Sequence, residues 1–252
     1  MAETTWQVKF KIFRKRTGKK PYYDLFPLEV DPDETILDAI ERIWAFQDRT
    51  LTFRHACHHS TCGVCGMRVN GREKLTCITP IRSVTRDGST ILIEPLRNFP
   101  VLSDLVVNMG EFFTKMEKAH FQSVSLVRDA DLPYEKTNFP TPLPENTERL
   151  VDCIECGLCI SACPAANTDA AYVGPAVLAA LHLIYTRQPE QSLLDQADHH
   201  TGLWRCHSAY ECTEVCPAGV DPAWRIMDMR KIVLSNRLKS LFKRRTEEQS
   251  HV

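Results

Sequence analysis

Residues 6–13 alternate apolar and polar side chains, with Trp6, Val8, Phe10 and Ile12 on one face and Gln7, Lys9 and Lys11 on the other. A period of two marks a half-buried strand, because successive side chains of an extended backbone point to opposite sides. A basic turn, RKRTGKK, follows, and a second strand is expected over residues 22–30. Asp31 and Pro32 then open a segment whose apolar residues, Ile36, Ala39, Ile40 and Ile43, recur at helical spacing. Short strands are expected at 67–70 and 91–94.

Beyond residue 100 the period changes. Residues 102–121 place Leu105, Val106, Met109, Phe112, Phe113 and Met116 on one helical face. Residues 129–149 carry Pro133, Pro140, Pro142 and Pro144 and read as an irregular connection. Pro175 opens a helix, AVLAALHLIYTRQ, and Val220-Asp221-Pro222 opens a last one that ends in basic residues. The pattern predicts two domains, residues 1–105 mixing strands and helix and residues 106–252 all helical.

Composition narrows the chemistry. The 252 residues suffice for two ordinary cores. Basic and acidic residues nearly cancel, 31 against 32, so no nucleic-acid partner is expected. The N-terminus MAETTWQVKFKIFRK has no apolar signal region and no twin arginine. The longest apolar run, about 173–186, is short for a bilayer and carries His182. A soluble intracellular chain is the expectation. The unusual quantity is eleven cysteines, grouped at 57–77, 153–163 and 206–216. In such a chain clustered thiols point to metal ligation rather than disulfides.

The first group, HACHHSTCGVCG, sets Cys57, Cys62 and Cys65 at C-x4-C-x2-C, with Cys77 following in LTCITP. That is the plant-type [2Fe–2S] spacing, in which one loop wraps the cluster and supplies three of four thiolates. Gly63 and Gly66 suit close approach of the backbone to sulfur. A four-cysteine zinc site is the alternative. His55, His58 and His59 read as solvated or hydrogen-bonding loop residues, since no second Cys-x2-His supports a Rieske centre. With the strand order above, this spacing predicts an N-terminal β-grasp [2Fe–2S] ferredoxin domain in an α+β chain.

The second group, CIECGLCISACP, is the bacterial ferredoxin run, and CHSAYECTEVCP repeats its frame. In two-cluster ferredoxins the fourth cysteine of each run ligates the other cluster. Cys153, Cys156, Cys159 and Cys216 then make a complete [4Fe–4S] site. The other cluster receives only Cys163, Cys206 and Cys212, because Ala209 stands where Cys156 stands in the first run. Three thiolates suit a [3Fe–4S] cluster; a cubane with water on the odd iron is the alternative. The second half therefore reads as an all-helical two-cluster ferredoxin domain.

These motifs in this order resemble the iron–sulfur subunit of succinate dehydrogenase and fumarate reductase, the succinate:quinone oxidoreductase family, across essentially the whole chain. The resemblance rests on HACHHSTCGVCG with LTCITP, on CIECGLCISACP and on WRCHSAYECTEVCPAGVDP, and LSDLVVNMGEFF is similar to the family's interdomain segment. It implies electron transfer between the FAD of a partner flavoprotein, where succinate and fumarate interconvert, and a membrane quinone. This chain has no Gly-rich dinucleotide fingerprint of its own. It further implies one or more membrane anchor subunits, with or without haem, and a peripheral position on the cytoplasmic face of a bacterial or archaeal membrane.

By the same resemblance Pro164, His207 and Thr168 fall at quinone-facing positions. Thr168 replaces a tryptophan of ubiquinone-type relatives and Ala218 a common lysine, which points to a menaquinone-type quinone. Ser60 stands where a glycine is frequent. Two other readings remain open, the iron–sulfur subunit of another flavoprotein complex, such as a thiol-linked fumarate reductase, and a zinc-stabilised interaction module.

Overall fold

The computed structural model describes residues 5–119 and 153–249, with side chains through residue 239. Strands β1 (Trp6–Arg14) and β2 (Tyr22–Val30) pair antiparallel from Trp6↔Val30 to Arg14↔Tyr22. On its other side β1 runs parallel to β5 (Thr90–Glu94), with Phe10 opposite Ile91. Strands β3 (Gly66–Val69) and β4 (Arg72–Leu75) complete a five-stranded sheet in the order β2-β1-β5-β3-β4. Helix α1 (Ile36–Phe46) starts at a capping box in which Thr35 and Asp38 bond each other's backbone N–H. Its residues Ile36, Ala39, Ile40 and Ile43 pack on Val8, Phe10, Ile12, Ile91 and Ile93. This is the β-grasp arrangement expected.

The last inward position of β1 is not apolar but Arg14, 1% exposed. Asp24 at 2.7 Å, Asp48 at 2.5 Å and Asp104 at 3.3 Å surround its guanidinium, so the buried cation is compensated from three segments.

Residues 102–121 do not form one helix. Val101–Ser103 (β6) and Val106–Val107 (β7) make a small antiparallel hairpin, and α2 occupies Gly110–Lys118 alone. The reason is Asp104, fully buried with φ 43°, whose carboxylate accepts the N–H groups of Lys15 and Thr52. Those tertiary bonds fix a turn where the periodicity alone favours a helix. Residues 120 and 121 lie outside the described residues, as does the proline-rich connection at 129–149.

Residues 153–249 form no strand and carry six α-helices joined by turns and loops: α3 (Leu158–Ala162), α4 (Pro164–Thr168), α5 (Pro175–Arg187), α6 (Gln191–Ala197), α7 (Glu211–Glu214) and α8 (Pro222–Gln249); the expected all-helical stretch from residue 106 is interrupted at its start by β7. Every residue of α5 from Pro175 to Leu183 is buried, so its apolar run is a core helix against α8. Within it His182 is buried, with Nε2 2.9 Å from Asp228 Oδ2. Among the described residues no helix is long and apolar enough to cross a membrane.

The two halves share a core in which Leu37, Leu75, Leu96 and Val107 meet Leu158. Polar contacts fix their register. Ser161 Oγ donates to Glu73 Oε1 at 2.8 Å and accepts the Arg97 N–H at 2.8 Å. Asn98 Nδ2 donates to the Ile160 and Cys163 carbonyls. The loop after β5 thus grips the backbone just ahead of Cys163.

Candidate iron–sulfur centres

The first thiol loop, residues 57–65, connects α1 to β3. Three of its residues adopt left-handed backbone, His58 (φ 60°), Ser60 (φ 63°) and Gly63 (φ 70°). Ser60 therefore stands in a conformation that glycine adopts more readily. These turns aim N–H groups inward. The Cys57 thiol is held down at about 5 by hydrogen bonds from the Thr61 side chain and from the His59 and Cys62 N–H groups. The Cys62 N–H lies 3.4 Å from its sulfur. Cys77, on the turn after β4, is buried and pushed up to about 11 by that burial and by Cys65. Cys77 thus feels the charge of Cys65 and Cys57, which brings the loop and the turn after β4 to one site.

The two later runs share left-handed backbone at equivalent positions. Glu155 (φ 51°) and Gly157 (φ 75°) are left-handed in the first, and Ser208 (φ 56°) and Tyr210 (φ 62°) in the second. Aligned on their final Cys-Pro, these are equivalent positions, and each pair precedes a short helix, α3 or α7. The sequence repeat is thus a conformational repeat, with Ala209 occupying the structural place of Cys156.

Crossing of the runs is also visible. Cys153, Cys156, Cys159 and Cys216 line one pocket. Burial, followed by the neighbouring thiols, pushes Cys153 up to about 11, Cys156 up to about 12 and Cys159 well above the usual range. Cys163, Cys206 and Cys212 line a second pocket with Ala209. Cys212 is pushed up to about 12 by burial and then by Cys163 and Cys206. Thiols driven together where their anions are unfavourable need bound cations to become thiolates. Backbone N–H groups already face the sulfurs, with Ser208 N 3.4 Å from Cys206 Sγ and Val220 N 3.4 Å from Cys216 Sγ.

This donor set fits clusters better than single ions. Among the described residues no three thiols have sulfurs all within 4.8 Å of one another. The ligands of one tetrahedral zinc ion, with Zn–S of about 2.3 Å, would sit about 3.8 Å apart.

Pro164 and His207, both exposed, line the three-thiol pocket, whereas Thr168 does not. Thr168 instead accepts a hydrogen bond from Arg205 Nη2 at 3.0 Å, and Arg205 pairs with Asp169. Two residues gave no signal in the sequence. Tyr172 is buried against this pocket, and its hydroxyl is pushed up by burial and then by Cys206, Cys163 and Cys212. Arg230, on α8, donates to the carbonyls of Leu203 and Cys206, both at 2.6 Å, and so fixes the start of the second run. Neither position is marked by spacing to a cysteine; only the tertiary fold brings them there.

A β-grasp domain with four thiols about one loop, joined to a helical domain with crossed cysteine runs, defines a multi-centre iron–sulfur electron-transfer protein. Residues 9–114 match the family described as a 2Fe-2S iron-sulfur cluster binding domain, and residues 149–220 that described as a 4Fe-4S dicluster domain. The chain is 32% identical to a fumarate reductase iron-sulfur subunit of Mycobacterium tuberculosis, covering 91% of this chain and 93% of that protein. It is 32% identical to a succinate dehydrogenase iron-sulfur subunit of Paracoccus denitrificans, covering 90% and 88%. A chain of the Mycobacterium smegmatis Sdh1 complex in the apo form shares the fold, with a TM-score of 0.76 and 24% identity over 93% of this chain and 98% of that one. The chain belongs to the family of iron–sulfur subunits of succinate dehydrogenase and fumarate reductase, as its cysteine motifs implied.

Proposed function

We propose that this chain conducts electrons between the FAD of a flavoprotein subunit and a quinone, using three clusters held by its eleven cysteines. Cys57, Cys62, Cys65 and Cys77 would hold [2Fe–2S]; Cys153, Cys156, Cys159 and Cys216 would hold [4Fe–4S]; Cys163, Cys206 and Cys212 would hold [3Fe–4S]. When bound, these clusters supply one-electron transfer at potentials set by cluster type, charge and hydrogen bonding. The observation that carries the reading is Ala209. It takes the backbone position of Cys156 in the repeated conformation and lines the pocket of three thiols. A methyl group there offers no thiolate for a fourth iron.

The protein's own contribution is positioning. The [2Fe–2S] loop and the first run lie against each other through Gly63, which favours a short path between their centres. N–H groups aimed at sulfur stabilise the reduced, more negative states. Pro164 and His207 flank the three-thiol pocket on an exposed face, which supports a quinone site completed by a membrane anchor subunit. Histidine there is able to bond a quinone oxygen or relay a proton. Thr168, bonded to Arg205, is a rim position in this reading, and a menaquinone-type quinone on the cytoplasmic face of the membrane completes it. We place the domain division at residues 1–105 and 106–252.

The test is electron paramagnetic resonance of the air-oxidised protein together with iron and sulfide analysis. One spin per chain and about nine irons are expected, because oxidised [3Fe–4S] is paramagnetic while the other two oxidised clusters are silent. A silent sample with about ten irons would overturn the assignment at Ala209. Zinc without acid-labile sulfide would overturn the electron-transfer reading altogether.

A further inference from the structure

Outside the cysteine centres, three side chains converge on one point beside the first thiol loop. Glu41 projects from α1, and His55 and His58 flank Cys57. His55 Nδ1 lies 3.0 Å from Glu41 Oε1, His58 Nε2 lies 3.3 Å from the same oxygen, and the two nitrogens are 3.2 Å apart. Among the described residues this is the one group of three or more metal-ligating side chains whose donor atoms lie so close together. We infer that Glu41, His55 and His58 form a binding site for a single divalent transition-metal ion of the zinc type, distinct from the iron–sulfur centres.

The dimensions favour an ion. A metal with bonds of about 2.0–2.1 Å to nitrogen and oxygen holds its ligands about 2.9 Å apart in octahedral geometry and about 3.4 Å apart in tetrahedral geometry. All three observed separations fall between those limits. Hydrogen bonding satisfies one edge of the triangle, between His55 Nδ1 and His58 Nε2, and leaves the other two unmade. Glu41 Oε1 is shielded from solvent and accepts no hydrogen bond of ordinary geometry, although two imidazole nitrogens stand beside it. A buried acceptor in that state is costly to leave unmet, and a cation meets it directly.

The site is also held in shape. Phe53 stacks on His55 with ring centroids 5.2 Å apart, and the left-handed backbone at His58 turns its ring back toward α1. His55 and His58 stay about two-fifths exposed, at 43% and 42%, which leaves room for water as a further ligand. Two imidazoles and one carboxylate suit zinc, cobalt, nickel or copper, whereas calcium and magnesium select oxygen ligands. Occupancy would tie the thiol loop to α1, so the folded state gains stability with metal concentration.

The test uses the purified holoprotein with its iron and sulfide measured before and after. It is dialysed against micromolar zinc, analysed for metal and melted with and without zinc. One zinc per chain beyond the iron, with a raised melting temperature, is expected. Glu41→Ala, on helix α1 rather than in the chain segment that carries the thiols, and His58→Ala should each weaken zinc retention at least tenfold and abolish the zinc-dependent shift. Three outcomes would overturn the site: no zinc retained, retention unchanged in both variants, or zinc gained only as iron and sulfide are lost.

Discussion

A Cβ atom at Gly63 would fall 2.8 Å from Cβ of Cys156 and 2.9 Å from the Ile154 carbonyl oxygen. The loop carrying Cys62 and Cys65 thus meets the first ferredoxin run directly at the Cys156 Cβ and the Ile154 and Cys156 backbone. Gly63 also has φ +70°, so an alanine there meets a steric wall and a strained backbone together. Gly63→Ala is expected to cost about 1–3 kcal/mol and to push the two loops apart. Denaturant unfolding reads the first effect, and a slower rate of electron equilibration between the two centres reads the second.

In the proposed assignment Ala209 sets the iron content of the last centre. In Ala209→Cys the added thiol enters the pocket of Cys163, Cys206 and Cys212 at the position equivalent to Cys156. One more iron per chain, loss of the oxidised paramagnetic signal and a lower potential for that centre are expected. An unchanged iron count and spectrum in the variant would contradict the role given to position 209.

Tyr172 places a buried hydroxyl against Cys206. Its oxygen has no hydrogen-bond partner among the described residues, which leaves the hydroxyl to donate to a cluster sulfur once the centre is loaded and to stabilise its reduced state, so Tyr172→Phe is expected to lower the potential of the three-thiol centre alone. A redox titration followed by its paramagnetic signal checks this, with the [2Fe–2S] potential as internal reference.

Ser161 joins the two halves through Glu73 and the Arg97 N–H. Both Ser161 and Glu73 are buried, so Ser161→Ala removes a buried hydrogen bond to Glu73, whose carboxylate keeps its ion pairs with Arg68 and Arg97, and takes the acceptor from the Arg97 N–H. A loss of about 1–3 kcal/mol is expected in denaturant unfolding.

His182 gives a pH dependence of known sign. Burial holds its pKa below the ordinary value of about 6.5, against the raising effect of Asp228. The unfolded chain therefore binds more protons than the folded one as pH falls below about 6.5, and stability declines there. His182→Gln should remove that part of the slope while leaving stability at pH 8 less affected. Unfolding curves between pH 5.5 and 8 measure it.

Much was legible before any coordinates. The alternation in β1, the helical spacing of Ile36, Ala39, Ile40 and Ile43 and the cysteine spacing are local signals; β1 begins at Trp6 as expected, whereas α1 begins at Ile36, after the expected opening at Asp31 and Pro32, because Thr35 caps it. Residues 102–121 failed because a helical period over a short apolar stretch does not record Asp104, whose partners Lys15 and Thr52 lie far away in sequence. Helices α3, α4, α6 and α7 went unread because each is at most seven residues long, too short for periodicity to establish.

The sequence by itself determined the family through the order of its cysteine loops, and with it the expected ligand chemistry, because thiolate spacing along one loop must match the corners of a cluster. Only the tertiary structure decided which surfaces meet. Gly63 against Cys156, Tyr172 behind Cys206, and Glu41 facing His55 and His58 are contacts between distant segments. Such contacts follow from how the sheet and helices pack, which no local pattern encodes.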